Sequence, residues 1–182
     1  MRIVSGQWRG KRIVAPKNLP VRPTTDFAKE SLFNILNNHV YFDEIKVLDL
    51  FSGTGNITYE FASRGCTDIT CVDQNSGCTR FIQKTTGEMG IELQIIQSDA
   101  LSFLRRSSLP YDIIFADPPY DYDGYKDLID AVFQRNLLAK KGDLILEHSE
   151  YEDLSELPGF YQKRKYGHVC FSFFARPEDI EE

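Results

Sequence analysis

No stretch of this sequence approaches the run of about eighteen apolar residues that a membrane-crossing helix needs, and its first residues lack the apolar core of a signal peptide. A cytoplasmic protein with no membrane partner is therefore expected. Cysteine is scarce. Cys66, Cys71, Cys78 and Cys170 form no Cys-x-x-Cys pair and have no histidines at zinc spacing, so buried thiols in a reducing compartment are expected and a metal site is not. His39, His148 and His168 suggest no catalytic pairing, and internal repeats and low-complexity tracts are missing. Acid is absent from residues 1–25, which hold Arg2, Arg9, Lys11, Arg12, Lys17 and Arg22. The net charge of −6 is thus uneven: with six of 21 basic residues at the start, the remainder carries 15 bases against 27 acids. A basic arm on an acidic body fits that asymmetry, as does a solvated charged hairpin.

What is present fits one globular domain. The 182 residues are 42% hydrophobic and 26% charged, and a chain this long buries roughly 70% of its unfolded surface without a staple. A monomer is expected. Residues Met1 to Val14 alternate around Ser5-Gly6 and Arg9-Gly10-Lys11, which predicts a small β-hairpin, and the prolines at 16, 20 and 23 predict an extended linker. A helix starting near Thr24 to Asp26 buries Phe27, Leu32, Ile35 and Leu36 in this reading. Strands follow at Lys46 to Leu50, Ile69 to Val72, Gln94 to Gln97, Asp112 to Ala116 and Asp143 to Glu147. Helices are expected between them, at Ile57 to Arg64, Ser76 to Met89, Leu101 to Arg106 and Tyr125 to Asn136. Short apolar strands with helical crossovers imply an α/β fold with a doubly wound, mostly parallel sheet. Gln162 to Tyr166 and His168 to Phe174 read as a closing hairpin that makes one strand antiparallel. The acidic end, Glu178 to Glu182, is expected to be disordered.

Four aspartates carry the first functional signal. Asp49 opens the segment Asp-Leu-Phe-Ser-Gly-Thr-Gly, in which Gly53 and Gly55 let the backbone turn sharply against a ligand. Asp73 ends the second strand, 24 residues on, where a carboxylate accepts the ribose hydroxyls of an adenosine-containing cofactor. Asp99 and Asp117 end the third and fourth strands. Singly, each could be a turn or cap residue; together they put carboxylates where open α/β sheets bind ligands. The dinucleotide fingerprint fails, because Thr58 stands at its third glycine. An acidic rim also suits a sulfonium, an ammonium and a ribose diol better than a pyrophosphate. S-adenosylmethionine has those three groups.

Asp117-Pro118-Pro119-Tyr120 is the most specific motif. Each proline fixes its own φ and extends the residue before it, so the loop is stiff. An exocyclic amine on a base is a poor nucleophile, because its lone pair is delocalised into the ring. In this reading Asp117 and the Pro118 carbonyl are expected to accept its two N–H bonds, and Tyr120 to stack on a splayed-out base.

These motifs resemble those of class I methyltransferases. The opening MRIVSGQWRGKR, the run from Arg22-Pro23-Thr24-Thr25-Asp26 to Glu30-Ser31-Leu32-Phe33-Asn34, and the turn Arg164-Lys165-Tyr166-Gly167 are similar to one family in particular. That family is RsmD, bacterial methyltransferases of guanine N2 in 16S rRNA. The resemblance implies a Rossmann-like sheet of seven strands with a hairpin that engages RNA. Residues 1–25 would form the basic hairpin and linker, 26–176 the methyltransferase domain and 177–182 an acidic tail. It further implies that Asp117, Pro118, Pro119 and Tyr120 hold the guanine. Asp49, Phe51, Gly53, Gly55, Asp73, Asp99 and Ala100 would hold S-adenosylmethionine. Arg2, Arg9, Lys11, Arg12 and Arg22 are expected to contact phosphates of 16S rRNA, in the small subunit or an assembly intermediate. Trp8 either stacks on a base or packs the hairpin down, and packing is favoured. Adenine N6, cytosine N4 and a protein glutamine amide remain alternative targets, as does a non-catalytic RNA-binding assembly factor.

Overall fold

The computed structural model describes residues 1–180. After the N-terminal segment, helix α1 (Asp26–Asn37) leads into β1 (Lys46–Leu50), α2 (Asn56–Ser63), β2 (Asp68–Asp73), α3 (Ser76–Met89) and β3 (Gln94–Gln97). Then come α4 (Ala100–Arg106), β4 (Tyr111–Ala116), α5 (Tyr125–Gln134), β5 (Leu138–Ser149), β6 (Phe160–Tyr166) and β7 (Val169–Phe174). The seven strands lie in the order β3-β2-β1-β4-β5-β7-β6. β1 to β5 pair in parallel, and β7 runs antiparallel to both its neighbours. The chain leaves β1 first toward β2 and later toward β4, so the strand order reverses between these two.

Both faces of the central strands are covered, which explains their unbroken apolar runs. Alternate residues enter opposite layers: Leu48, Ile114 and Leu146 pack with α4 and α5, whereas Val47, Phe115 and Ile145 pack with α1 and α2. β5 starts five residues before the apolar run that predicts it. Its Leu138 pairs with Tyr111 across a register shift.

Two expectations are corrected here. Thr25 caps α1 by accepting from Ala28 N at 3.2 Å, but the buried positions are Ala28, Lys29, Leu32, Phe33 and Leu36. That phase turns Phe27 outward, 64% exposed, with its ring edge-on to Tyr166 at 5.8 Å. At the C-terminus, Pro177–Asp179 forms a short 3₁₀ turn instead of a disordered end. Asp179 fastens it by accepting from Arg176 Nε at 2.8 Å and Lys141 N at 2.8 Å. Glu181 and Glu182 lie outside the described residues.

The N-terminal segment closes through one bridge, Arg2 with Arg12, flanked by Ile3 N→Lys11 O at 2.9 Å and Ile13 N→Met1 O at 2.9 Å. Ile3 and Ile13 are buried with Tyr59 of α2. The hairpin is clamped onto α2. The Glu60 carboxylate accepts Val4 N at 2.8 Å and Ser5 N at 3.1 Å, and Gln7 N donates to Ser63 O at 2.7 Å. Gly6 is required at that contact, because a Cβ there would lie 1.9 Å from Ser63 O. Trp8 is half-buried and packs between the hairpin and the domain.

Candidate active site

The loop after β1 is held in a conformation that few sequences accept. Phe51, Gly53 and Gly55 all take positive φ, at 54°, 55° and 93°. Glycine does this freely; Phe51 does it at a cost of order 1–3 kcal/mol, as residues at ligand sites often do. The loop is tied to the next strand. Ser52 N donates to Val72 O at 2.9 Å, and Gly53 N donates to Asp73 Oδ2 at 2.8 Å. Asp73 Oδ1 accepts from Asn75 N at 2.8 Å, and Asn75 in turn caps α3 by accepting from Cys78 N at 3.0 Å. Asp73 thereby fixes the relative position of the two loops while staying partly exposed.

Asp49 lies beneath this loop, 1% exposed, and accepts from Thr58 Oγ1 at 2.7 Å. Burial pushes its carboxyl up to about 7, with the Thr58 hydroxyl opposing and Asp73 adding to the rise. Thr58 stands where the dinucleotide fingerprint wants glycine, and its partner is now plain. Asp99 is exposed and caps α4, accepting from Ser102 N at 3.0 Å and Ser102 Oγ at 3.1 Å; Ala100 beside it is buried.

Across the point where the strand order reverses, Asp117 follows the last residue of β4. Pro118 is buried, Pro119 is exposed and Tyr120 is 86% exposed. Asp117 is partly buried, and its carboxyl lies close enough to that of Glu147 for their charges to interact. Ala116 pairs with Leu146, so the next residues, Asp117 and Glu147, fall side by side. Burial raises Asp117 well above the usual carboxylate range, and the charge of Glu147 raises it further. Burial also raises Glu147, which is 7% exposed and accepts from Thr24 Oγ1 at 2.6 Å. Tyr122 closes the loop by donating its N–H to Pro119 O at 2.9 Å, and its ring meets Phe51 edge-on at 5.2 Å.

Sequence reasoning missed Glu147, Thr24 and Tyr122. The signal for Glu147 was there: it ends the apolar run Leu144-Ile145-Leu146 as Asp117 ends its own strand. Thr24 has no such signal, since its partner is 123 positions away. The linker carrying it crosses the same end of the sheet. A Cβ on Gly77 would lie 2.7 Å from Leu19 Cδ2, one on Gly53 would lie 3.2 Å from Val21 Cγ1, and Asn56 Nδ2 donates to Thr24 O at 3.0 Å.

Of the five basic residues singled out, all are exposed. Arg2 pairs with Asp26 at 3.1 Å, while Arg9, Lys11, Arg12 and Arg22 form no side-chain ion pair among the described residues. A buried cation was also missed. Lys29 is 1% exposed and meets Arg2 O at 2.5 Å, Asn56 Oδ1 at 2.8 Å and Glu60 at 3.5 Å, joining α1, α2 and the hairpin. All four cysteines are free and buried.

The sheet order, the glycine loop after β1 and the proline-stiffened loop after β4 together define a class I methyltransferase with a Rossmann-like fold. The family model described as conserved hypothetical protein 95 matches residues 1–175. The chain belongs to that family, the RsmD family of methyltransferases. It is similar to ribosomal RNA small subunit methyltransferase D of Escherichia coli strain K12, with 27% identity over 180 residues that cover 97% of this chain and 90% of that one. A Buchnera aphidicola (subsp. Baizongia pistaciae) protein of the same name is 30% identical over 151 residues, 81% of this chain and 75% of its own. The solved structure of E. coli yhhF superposes with a TM-score of 0.85 at 27% identity over 97% of both chains. A T. thermophilus 16S rRNA N2 G1207 methyltransferase, RsmC, in complex with AdoMet and guanosine, shares the fold. Its TM-score is 0.71 at 21% identity, over 87% of this chain and 45% of that one.

Proposed function

We propose that this chain transfers a methyl group from S-adenosylmethionine to the exocyclic N2 amine of a guanine in 16S rRNA, carried on the small ribosomal subunit or an assembly intermediate. The observation that carries this reading is the stiff Asp117-Pro118-Pro119-Tyr120 loop standing across the strand-order reversal from the glycine loop after β1. The names of the E. coli and Buchnera relatives support the substrate, and the guanosine held by the T. thermophilus structure supports the base. The enzyme acts as a monomer in the cytoplasm.

The site's own chemistry fits the cofactor. Its ionisable side chains at the strand ends are the acids Asp49, Asp73, Asp99, Asp117 and Glu147, a donor set that favours a cationic, diol-bearing ligand over a phosphate. Gly53, Gly55 and the Phe51 backbone shape the floor, and Asp73, partly exposed, offers its remaining lone pairs to the ribose hydroxyls. Asp99 and Ala100, just after β3, extend the cofactor site in this reading, and Asp49 braces the floor from below through Thr58. The cofactor supplies an electrophilic methyl on a sulfonium and leaves as a neutral thioether.

The protein's part is positioning. Asp117 and the Pro118 carbonyl accept the two N–H bonds of the amine, which localises its lone pair and aims it in line. Tyr120 is exposed where an extruded base can stack on it. Arg2, Arg9, Lys11, Arg12 and Arg22 contact RNA phosphates. Replacing Asp117 with Ala lowers methyl transfer about 10²–10³-fold. Cofactor affinity, measured by calorimetric titration, stays within about twofold. A variant that transfers methyl at the wild-type rate contradicts the role of the loop.

A further inference from the structure

The carboxyl of Glu147 has no part in holding an amine by Asp117 and a carbonyl, yet the fold brings it there with care. β4 and β5 run in parallel register, so Asp117 and Glu147 emerge side by side. Thr24, reaching in from the linker, fixes Glu147 with a 2.6 Å hydrogen bond to Oε1. Among the described residues Thr24 is the only side chain that hydrogen-bonds Glu147, and the register sets Asp117 beside it. Two adjacent carboxyls, one partly exposed and one 7% exposed, form a pair of acceptors and offer a ligand no donor except a proton they share.

We propose that Glu147 is the residue that selects guanine, accepting the base's N1–H while Asp117 accepts from the neighbouring N2 amine. This rests on the guanine-N2 reading of the same site. Guanine presents two adjacent donors, N1–H and N2–H, on its Watson–Crick edge. Adenine and cytosine present their amine beside a ring nitrogen with a lone pair. That lone pair would face the Glu147 carboxylate whenever the pair is ionised, and a buried acceptor facing an acceptor strongly disfavours the complex. The shared proton leaves to solvent as guanine binds, and the two carboxylates left behind are each paired with one of the two guanine donors. Standing side by side at the amine, the carboxylates of Asp117 and Glu147 take the N2 proton released after transfer.

2-Aminopurine separates the two roles. It keeps the 2-amino group that Asp117 holds, but its N1 is an acceptor with no hydrogen. The experiment compares kcat/KM for methyl transfer to unmodified small subunits assembled with guanine or 2-aminopurine at the target position. Wild type should prefer guanine by about 100-fold or more, as sites built around a buried hydrogen bond do. Glu147→Gln, whose amide can donate to N1, should bring the two within about tenfold. A ratio unchanged from wild type, with transfer to guanine intact, overturns the inference alone. No wild-type transfer to guanine N2 overturns the parent reading as well. Thr24→Val supplies a second variant that keeps the carboxylate but removes its tether. It should narrow the ratio several-fold, and an unchanged ratio in a folded Thr24→Val counts equally against the inference.

Discussion

Asp49, Asp73, Asp99 and Asp117 share a position at the carboxyl end of a strand, and their surroundings give each a different task. Asp73 locks two loops together, Asp99 caps a helix, Asp117 faces a second carboxyl, and Asp49 is sealed under the glycine loop. The last of these has a consequence for stability. A carboxyl raised from 3.8 to about 7 in the folded state binds a proton there that the unfolded chain has already lost. Its stabilising contribution is therefore complete below pH 4 and disappears as pH climbs through 7, a change worth at most about 4 kcal/mol. Asn in its place can still accept from Thr58 and has no proton to lose. Urea midpoints of wild type and Asp49→Asn should diverge steadily in favour of the variant between pH 4 and 8; parallel curves would contradict the account. At this scale the sequence revealed which acids end strands. It could not reveal which are buried, because that depends on what the linker and the glycine loop lay over them.

Among the elements, the N-terminal hairpin forms as expected and Trp8 packs it down, but its polar attachment was not foreseen. Charge alone suggests a basic arm or a solvated charged hairpin, and Glu60 and Ser63 of α2 grip its backbone while Lys29 ties it to α1. Those ties come from polar residues inside helices, which pattern reading assigns to solvent. The same blindness misphased α1: Lys29 is buried and Phe27 is not. The clamp fixes the backbone that carries exposed Arg9, Lys11 and Arg12, so under the proposed function phosphates would bind them with less ordering of the chain. Changing all three to Ala should weaken binding to the small subunit and flatten the dependence of log affinity on log salt by roughly one per residue removed. Cofactor affinity should not move. Filter binding at several salt concentrations tests this, and an unchanged slope would show that the RNA lies elsewhere.

For the molecule as a whole, the parallel sheet and the antiparallel closing hairpin follow from apolar runs and their spacing, so the architecture was legible almost throughout. The strand order was legible only through resemblance, since nothing in a strand's own residues names its neighbour. The order matters because it puts the loops after β1 and β4 at the point where it reverses, the place where open α/β sheets bind ligands and where the proposed function has a methyl donor and an amine meet. The measurement closest to that claim is the identity of the methylated atom. Small subunits lacking the modification are incubated with labelled S-adenosylmethionine and the enzyme, wild type or Asp117→Ala, and the rRNA is digested to nucleosides for mass spectrometry. The account predicts label in N2-methylguanosine with wild type and a loss of at least about 100-fold with the variant. Label on adenine N6 or cytosine N4, or none on rRNA from an enzyme that binds the cofactor, would contradict it.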